Sequence, residues 1–134
     1  LPRKPFAPDT SQSAQWNRGA YLVNGPGHCA ECHSPRDAFG GMIASLRFTG
    51  GPSPDGQGGV PNITQYKLKA WSEQDIADTL TDGMTPDSDR VGGNMVEVVR
   101  NTEHLTAADR MAIAAYIKSL PAVEGLKPAP KKKE

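Results

Sequence analysis

Apolar residues return every three or four positions in only a few stretches of the chain. Residues 13–24, SAQWNRGAYLVN, predict a short helix with Ala14, Trp16, Ala20 and Val23 facing inward. Gly19 falls mid-helix, where glycine costs roughly 1 kcal/mol against alanine, so it needs a reason such as a second helix crossing there. Residues 71–83, WSEQDIADTLTDG, predict another helix, with Ser72 and Asp75 as a capping box and Gly83 as its stop. GGNMVEVVRNT, 92–102, predicts a short helix after a glycine pair. The clearest pattern comes last. Thr106 and Asp109 cap ADRMAIAAYIKSL, Pro121 closes it, and Ile113, Ile117 and Leu120 form an i, i+4, i+7 stripe beside Tyr116. No segment alternates convincingly as a strand, and no internal repeat is present.

Between Gly40 and Ala70 the pattern disappears, and GGPSPDGQGGVPN predicts a surface loop. A structureless stretch of that length is unusual in a compact domain unless it folds over something. Composition points the same way. The hydrophobic fraction is only 37%, with 14 Gly and 12 Pro in 134 residues. Mean hydropathy is −0.54. A bound cofactor would supply the apolar surface the side chains lack. The expected organisation is a Pro-rich lead-in over 1–12, one domain over 13–123 and a disordered Lys/Pro-rich tail over 124–134.

Charge is balanced at 15 basic and 15 acidic residues, which argues against a nucleic-acid footprint. The last eight residues, KPAPKKKE, hold four of those Lys and one Glu, leaving a mildly acidic body of 11 against 14. No run approaches the roughly 18 apolar residues of a membrane span. The chain lacks an initiator Met, and its N-terminus is expected to be processed or cut.

The only two cysteines lie in GPGHCAECHSPRD, residues 25–37, with His33 directly after Cys32. A structural zinc site needs four ligands, and this segment offers three at most. A redox dithiol belongs in a βαβ setting that the pattern does not provide. A Cys29–Cys32 disulfide would close a trivially small loop. The haem reading uses every residue of C-x-x-C-H: two thiols for the vinyl groups and an imidazole for the iron.

The far face of the iron needs a second ligand. Met111 sits inside the last helix and reads as core, and Met42 follows His33 too closely. Met84 in DGMTPD and Met95 in GGNMVEVV, 51 and 62 residues after His33, both reach. Spacing slightly favours Met95. The ordinary role of any Met is gap filling. His104 leaves bis-His ligation open, and His28 is tethered on the proximal side.

WNRGAYLVNGPGHCAECHSPR, VPNIT at 60–64 and GGNMVEVVRNTEHLTAADRMAIAAYIKSLP resemble one family. It is the second haem domain of the multihaem cytochrome c subunit of bacterial membrane-bound alcohol, aldehyde and sugar-acid dehydrogenases. The C-terminal haem domain of related dihaem cytochromes c is equally similar. The resemblance covers roughly residues 13–121. It implies an all-α cytochrome c fold, with short helices and long loops around one covalent haem c. Cys29 and Cys32 would bind the haem, with His33 proximal and Met95 distal. The Pro61 carbonyl would accept the imidazole N–H. Gly19 would sit at the crossing of the first and last helices, against Tyr116. Arg36 and Trp71 would meet the propionates, although an exposed Arg after such a motif is ordinarily just solvated.

The family carries two or three haem motifs per chain where this chain has one, so it is either a one-haem protein or a domain of a longer one. The expected function is a periplasmic electron carrier between a dehydrogenase or other donor and an acceptor cytochrome or oxidase. Six-coordinate iron leaves no open position for substrate. The alternatives are a haem subunit of a dehydrogenase complex, or a haem enzyme or gas sensor if the distal ligand is labile. Lys67, Lys69 and Lys118 are candidates for steering a partner.

Overall fold

The computed structural model describes residues 5–53 and 58–126. Residues 1–4 of the lead-in and 127–134 of the tail lie outside them. The elements are α1 (Ala14–Asn24), α2 (Cys29–Cys32), a 3₁₀ turn (Ala44–Leu46), β1 (Gly51–Pro52), β2 (Gly59–Val60), α3 (Gln65–Leu68), α4 (Glu73–Asp82), α5 (Met95–Thr102) and α6 (Ala107–Lys118). The chain is mostly helical, as expected. It also holds a small antiparallel sheet, in which Gly51 pairs with Val60 and Pro52 with Gly59. Strands of two residues are too short to show alternation in sequence.

The helix ends follow local chemistry. Ser13 caps α1 by accepting from the Trp16 N–H at 3.0 Å. Ser72 and Asp75 form the full capping box of α4, and Gly83 ends it in the left-handed region at φ 77°. Thr106 caps α6 through the Asp109 N–H at 3.1 Å. The Asp109 carboxylate does not complete that box. It holds Arg18 of α1 instead, with Nε–Oδ1 at 3.0 Å.

The core forms where α1 crosses α6, and α4 packs against α6 on another side. Ala20, Leu22 and Val23 meet Ile113, Tyr116 and Ile117 there, with Phe48 closing from the loop. Trp16 and Tyr116 stack edge-on at 5.2 Å between centroids. Across the same crossing the Trp16 Nε1–H donates to Ser119 Oγ at 2.8 Å. Of the four residues expected inward on α1, Ala20 and Val23 are buried and Trp16 is half-buried, but Ala14 is exposed. Ala14 opens the first turn, before α1 reaches its neighbour.

The long loop from 40 to 70 is not formless. Its backbone is tied to the core by Gly50 N–H to the His33 carbonyl (2.8 Å) and Ile63 N–H to the Phe48 carbonyl (2.8 Å). At the far end, Glu124–Leu126 are described as well, and the Glu124 carbonyl accepts from Asn62 Nδ2 at 3.2 Å. The Lys118 ammonium is fixed in place. Its Nζ donates to Gln65 Oε1 at 2.6 Å and to the Leu68 carbonyl at 3.2 Å.

Candidate cofactor site

After α1 the chain reverses in two steps. The Gly25 and Gly27 N–H groups cap the Tyr21 and Leu22 carbonyls, each at 2.8 Å. His28 then adopts a left-handed conformation, φ 49°, and turns the chain into α2. That helix is one turn long, so Cys29 and Cys32, three apart, lie on the same side. Ala30 is buried in the core. His33 follows as the C-cap, its N–H bonded to the Cys29 carbonyl at 2.9 Å.

Both cysteines are free thiols, Cys29 half-buried and Cys32 exposed. Burial pushes the Cys29 thiol up to about 11. A zinc site needs thiolates, whereas addition to a vinyl group ends in an uncharged thioether. Among the described residues no group of three or more His, Cys, Asp or Glu converges to hold a metal ion.

The His33 ring is buried, and its Nδ1 lies 2.8 Å from the Pro61 carbonyl oxygen. A carbonyl only accepts, so Nδ1 carries the proton and Nε2 keeps its lone pair. Burial pulls the imidazole below its ordinary pKa, and the Pro61 carbonyl pulls part of the way back. The neutral ring is the form that binds a metal. Nε2 takes no hydrogen bond among the described residues, and no buried side-chain nitrogen or oxygen there lacks a partner. Nε2 therefore opens onto reachable space. Two thiols on one helical turn and an imidazole with a fixed tautomer and a free Nε2 fit a covalently attached haem.

The remaining candidates separate by position. Met95 is the half-buried first residue of α5, and its N–H bonds the Gly92 carbonyl at 3.2 Å. Met84 is held at the end of α4, its carbonyl accepting from Thr79 Oγ1 at 2.7 Å. It lines a cleft of about 200 Å³ with Asp75, Asp78 and Asp82. Met42 and Met111 are partly buried against the core. The His104 side chain is 80% exposed beside Glu103, and His28 is exposed. Arg36 is exposed, and its Nη2 donates to the Glu31 carboxylate at 2.7 Å and the Glu31 carbonyl at 3.0 Å. It clips the following loop onto α2. Trp71 packs partly buried against the core.

Sequence reasoning passed over Gly50 and Ser34. Gly50 is left-handed at φ 80°, and a Cβ there would lie 2.3 Å from the Val60 carbonyl oxygen. Ser34 Oγ accepts from the Phe48 N–H at 3.1 Å. Both fasten the His33 segment to the loop that carries Pro61. The Gly50–Gly51 pair was the available signal.

Residues 16–121 match the cytochrome c family. The chain belongs to that family. Cytochrome c domains hold haem c covalently and carry electrons, and this is such a domain. It is 55% identical over 107 residues to a diheme cytochrome c-type protein of Cereibacter sphaeroides, covering 80% of this chain and 36% of that protein. It is 37% identical over 123 residues to the fructose dehydrogenase cytochrome subunit of Gluconobacter japonicus, covering 89% of this chain and 25% of that one. The alcohol dehydrogenase (quinone) cytochrome c subunit of Gluconobacter oxydans is 39% identical over 115 residues, covering 79% and 24%. The chain thus spans about a third or less of these relatives. Among the described residues no helix is long and apolar enough to cross a membrane.

Proposed function

We propose that this cytochrome c domain passes single electrons in the periplasm, between a dehydrogenase or other donor and an acceptor cytochrome or oxidase. Cys29 and Cys32 form the two thioethers, His33 Nε2 is the proximal ligand and Met95 Sδ the distal one. The observation that carries the reading is the 2.8 Å contact between His33 Nδ1 and the Pro61 carbonyl. It fixes the tautomer and ring orientation of a metal-binding imidazole. When bound, the haem supplies a reversible one-electron couple, and His/Met ligation raises its potential relative to other axial sets. Met95 gains support over Met84 because Met84 lines an acidic cleft.

The chain's part would be to bury the group, orient the imidazole and supply both iron ligands, His33 and Met95, which would leave no site for a substrate. A partner would dock on the face where Cys32 is exposed. Phe39, a few residues further along the chain, is 99% exposed. It sits at the tip of a turn pinned by Asp37, whose Oδ1 accepts from the Phe39 and Gly41 N–H groups, each at 2.9 Å. An aromatic side chain standing in solvent on a pinned backbone turn suits the anchor of a small, transient interface. Arg36 and Trp71 would meet the propionates. The relatives' names support a donor of the dehydrogenase type, with this domain as part of a larger cytochrome subunit.

The test is acid–acetone extraction of the haem-loaded protein, followed by mapping of the coloured peptide. Colour that stays with the peptide carrying Cys29 and Cys32 is expected. Colour that leaves with the solvent overturns the covalent model.

A further inference from the structure

Asn62 directly follows Pro61, and its side chain is buried with all four hydrogen-bonding positions used. Its Oδ1 accepts from the Thr64 N–H at 2.9 Å and the Thr64 hydroxyl at 2.7 Å. Its Nδ2 donates to the carbonyls of Val123 at 2.7 Å and Glu124 at 3.2 Å. Thr64 Oγ1, whose hydrogen is given to Asn62, accepts from the Val123 N–H at 3.2 Å. Two buried side chains therefore hold the segment beyond α6 by three backbone groups. That segment also touches the other side of the site. A Cβ on Gly125 would lie 2.7 Å from Thr49 Cβ.

Gly50, next to Thr49, lies flat on the Pro61 peptide, where a Cβ would be 2.6 Å from the Pro61 carbonyl carbon and 2.8 Å from the Asn62 nitrogen. The Gly50 N–H simultaneously holds the His33 carbonyl at 2.8 Å. The Pro61 carbonyl is thus fixed from two directions, by Gly50 packed on its face and by the side chain of the next residue.

We propose that Asn62 is a positioning residue for His33: by clamping residues 123–124 it holds the Pro61 carbonyl against His33 Nδ1, and so couples the seating of the chain after α6 to the axial imidazole. This rests on reading His33 as the iron ligand. A firm Nδ1–H···O=C bond leaves more negative charge on the ring and makes Nε2 a stronger donor, which favours the oxidised metal. Loosening the clamp weakens that bond and raises the reduction potential.

The experiment uses the haem-loaded protein and three variants: Asn62→Leu, of similar shape without polar atoms, Thr64→Val, and Thr64→Ser as the conservative control. The readouts are exchange of the His33 Nδ1 proton by NMR in the reduced state, the midpoint potential, and thermal stability. The unsubstituted protein must first show His33 ring protons displaced by the haem ring current. Their absence overturns the ligand assignment itself, whatever Asn62 does. With the ligand in place, Asn62→Leu speeds exchange roughly ten- to hundredfold and shifts the potential upward. Thr64→Val does the same to a smaller degree, and Thr64→Ser matches the parent. Unchanged exchange and potential in Asn62→Leu and Thr64→Val, with only stability lowered, overturn the proposal. If Asn62→Leu yields no holoprotein, the Thr64→Val and Thr64→Ser pair decides alone.

Discussion

Gly19 lies directly on the backbone of Ala112: a Cβ built on it would come 2.0 Å from the Ala112 carbonyl oxygen and 2.9 Å from Tyr116 Cβ. The mid-helix glycine is therefore a condition for α1 and α6 to cross. Helix propensity alone predicts that Gly19→Ala stabilises by roughly 1 kcal/mol. The contact predicts the opposite, because a backbone carbonyl cannot swing aside as a side chain can. We expect a net loss of about 1–3 kcal/mol or more in urea or thermal unfolding. Gly92→Ala is the control. Nothing lies within 4 Å of a Cβ there and φ is ordinary, so a change within about 0.5 kcal/mol is expected. Equal effects at the two positions would remove the packing explanation.

The same crossing carries a pH-dependent contact. Arg18 holds Asp109 by two parallel bonds, Nε–Oδ1 at 3.0 Å and Nη2–Oδ2 at 3.2 Å. Arg18 keeps the Asp109 carboxyl below its ordinary value of 3.8. A carboxyl depressed in the folded state contributes stability that is complete above the ordinary value and is lost as pH falls through the folded one. The Arg18 side chain is about half exposed, so the effect is small. Asp109→Asn should lower the melting temperature slightly and by a constant amount from pH 5 to 8. The gap to the parent should close once pH drops below the ordinary carboxylate range. A gap that widens in acid would contradict this account.

These contacts show where the sequence was readable. Helix ends are set by neighbours in the chain, so Ser72 with Asp75, Gly83, Thr106 and Pro121 could be placed from local pattern. The Gly19 crossing was foreseen because a costly residue in a good helix demands a partner. The C-x-x-C-H segment was legible because its chemistry needs only adjacent residues. What escaped was non-local or too short. The turn α2 and the two-residue strands are shorter than the periods that reveal them. Asn62 meets Val123 across 61 positions, and nothing in local composition announces that. Ala14 was placed inward by period, although α1 meets its neighbour only after its first turn.

A partner anchored on Phe39 predicts a selective effect of Phe39→Ala. The side chain is 99% exposed and contributes nothing to the core, so melting temperature and midpoint potential should stay unchanged. Electron exchange with a physiological partner complex should slow, by a factor of about 5–30 if the ring is a hot spot worth roughly 1–2 kcal/mol. Exchange with a small inorganic oxidant, which needs no docking pocket, should not change. Equal slowing with both reagents would place the effect inside the domain and remove Phe39 from the interface.

The distal ligand is decided by two methionines tested against each other. Met95 opens α5 after the Gly92–Gly93 pair, while Met84 is anchored to α4 through Thr79 and lines a cleft of three aspartates. A thioether on ferric iron gives a weak sulfur-to-iron charge-transfer band in the far red. Met95→Ala should abolish that band, lower the potential and open the iron to azide, or to carbon monoxide once reduced. Met84→Ala should keep the band and at most disturb packing at the end of α4. The reverse result would assign the ligand to Met84 and require the 84–90 turn to reach the cofactor. Loss of the band in neither variant would assign the thioether to Met42 or Met111, whereas absence of the band from the parent would leave His104 as the ligand to test, despite its exposed position beside Glu103. Retention of six-coordinate spectra in Met95→Ala would be the clearest sign that the distal side is built differently.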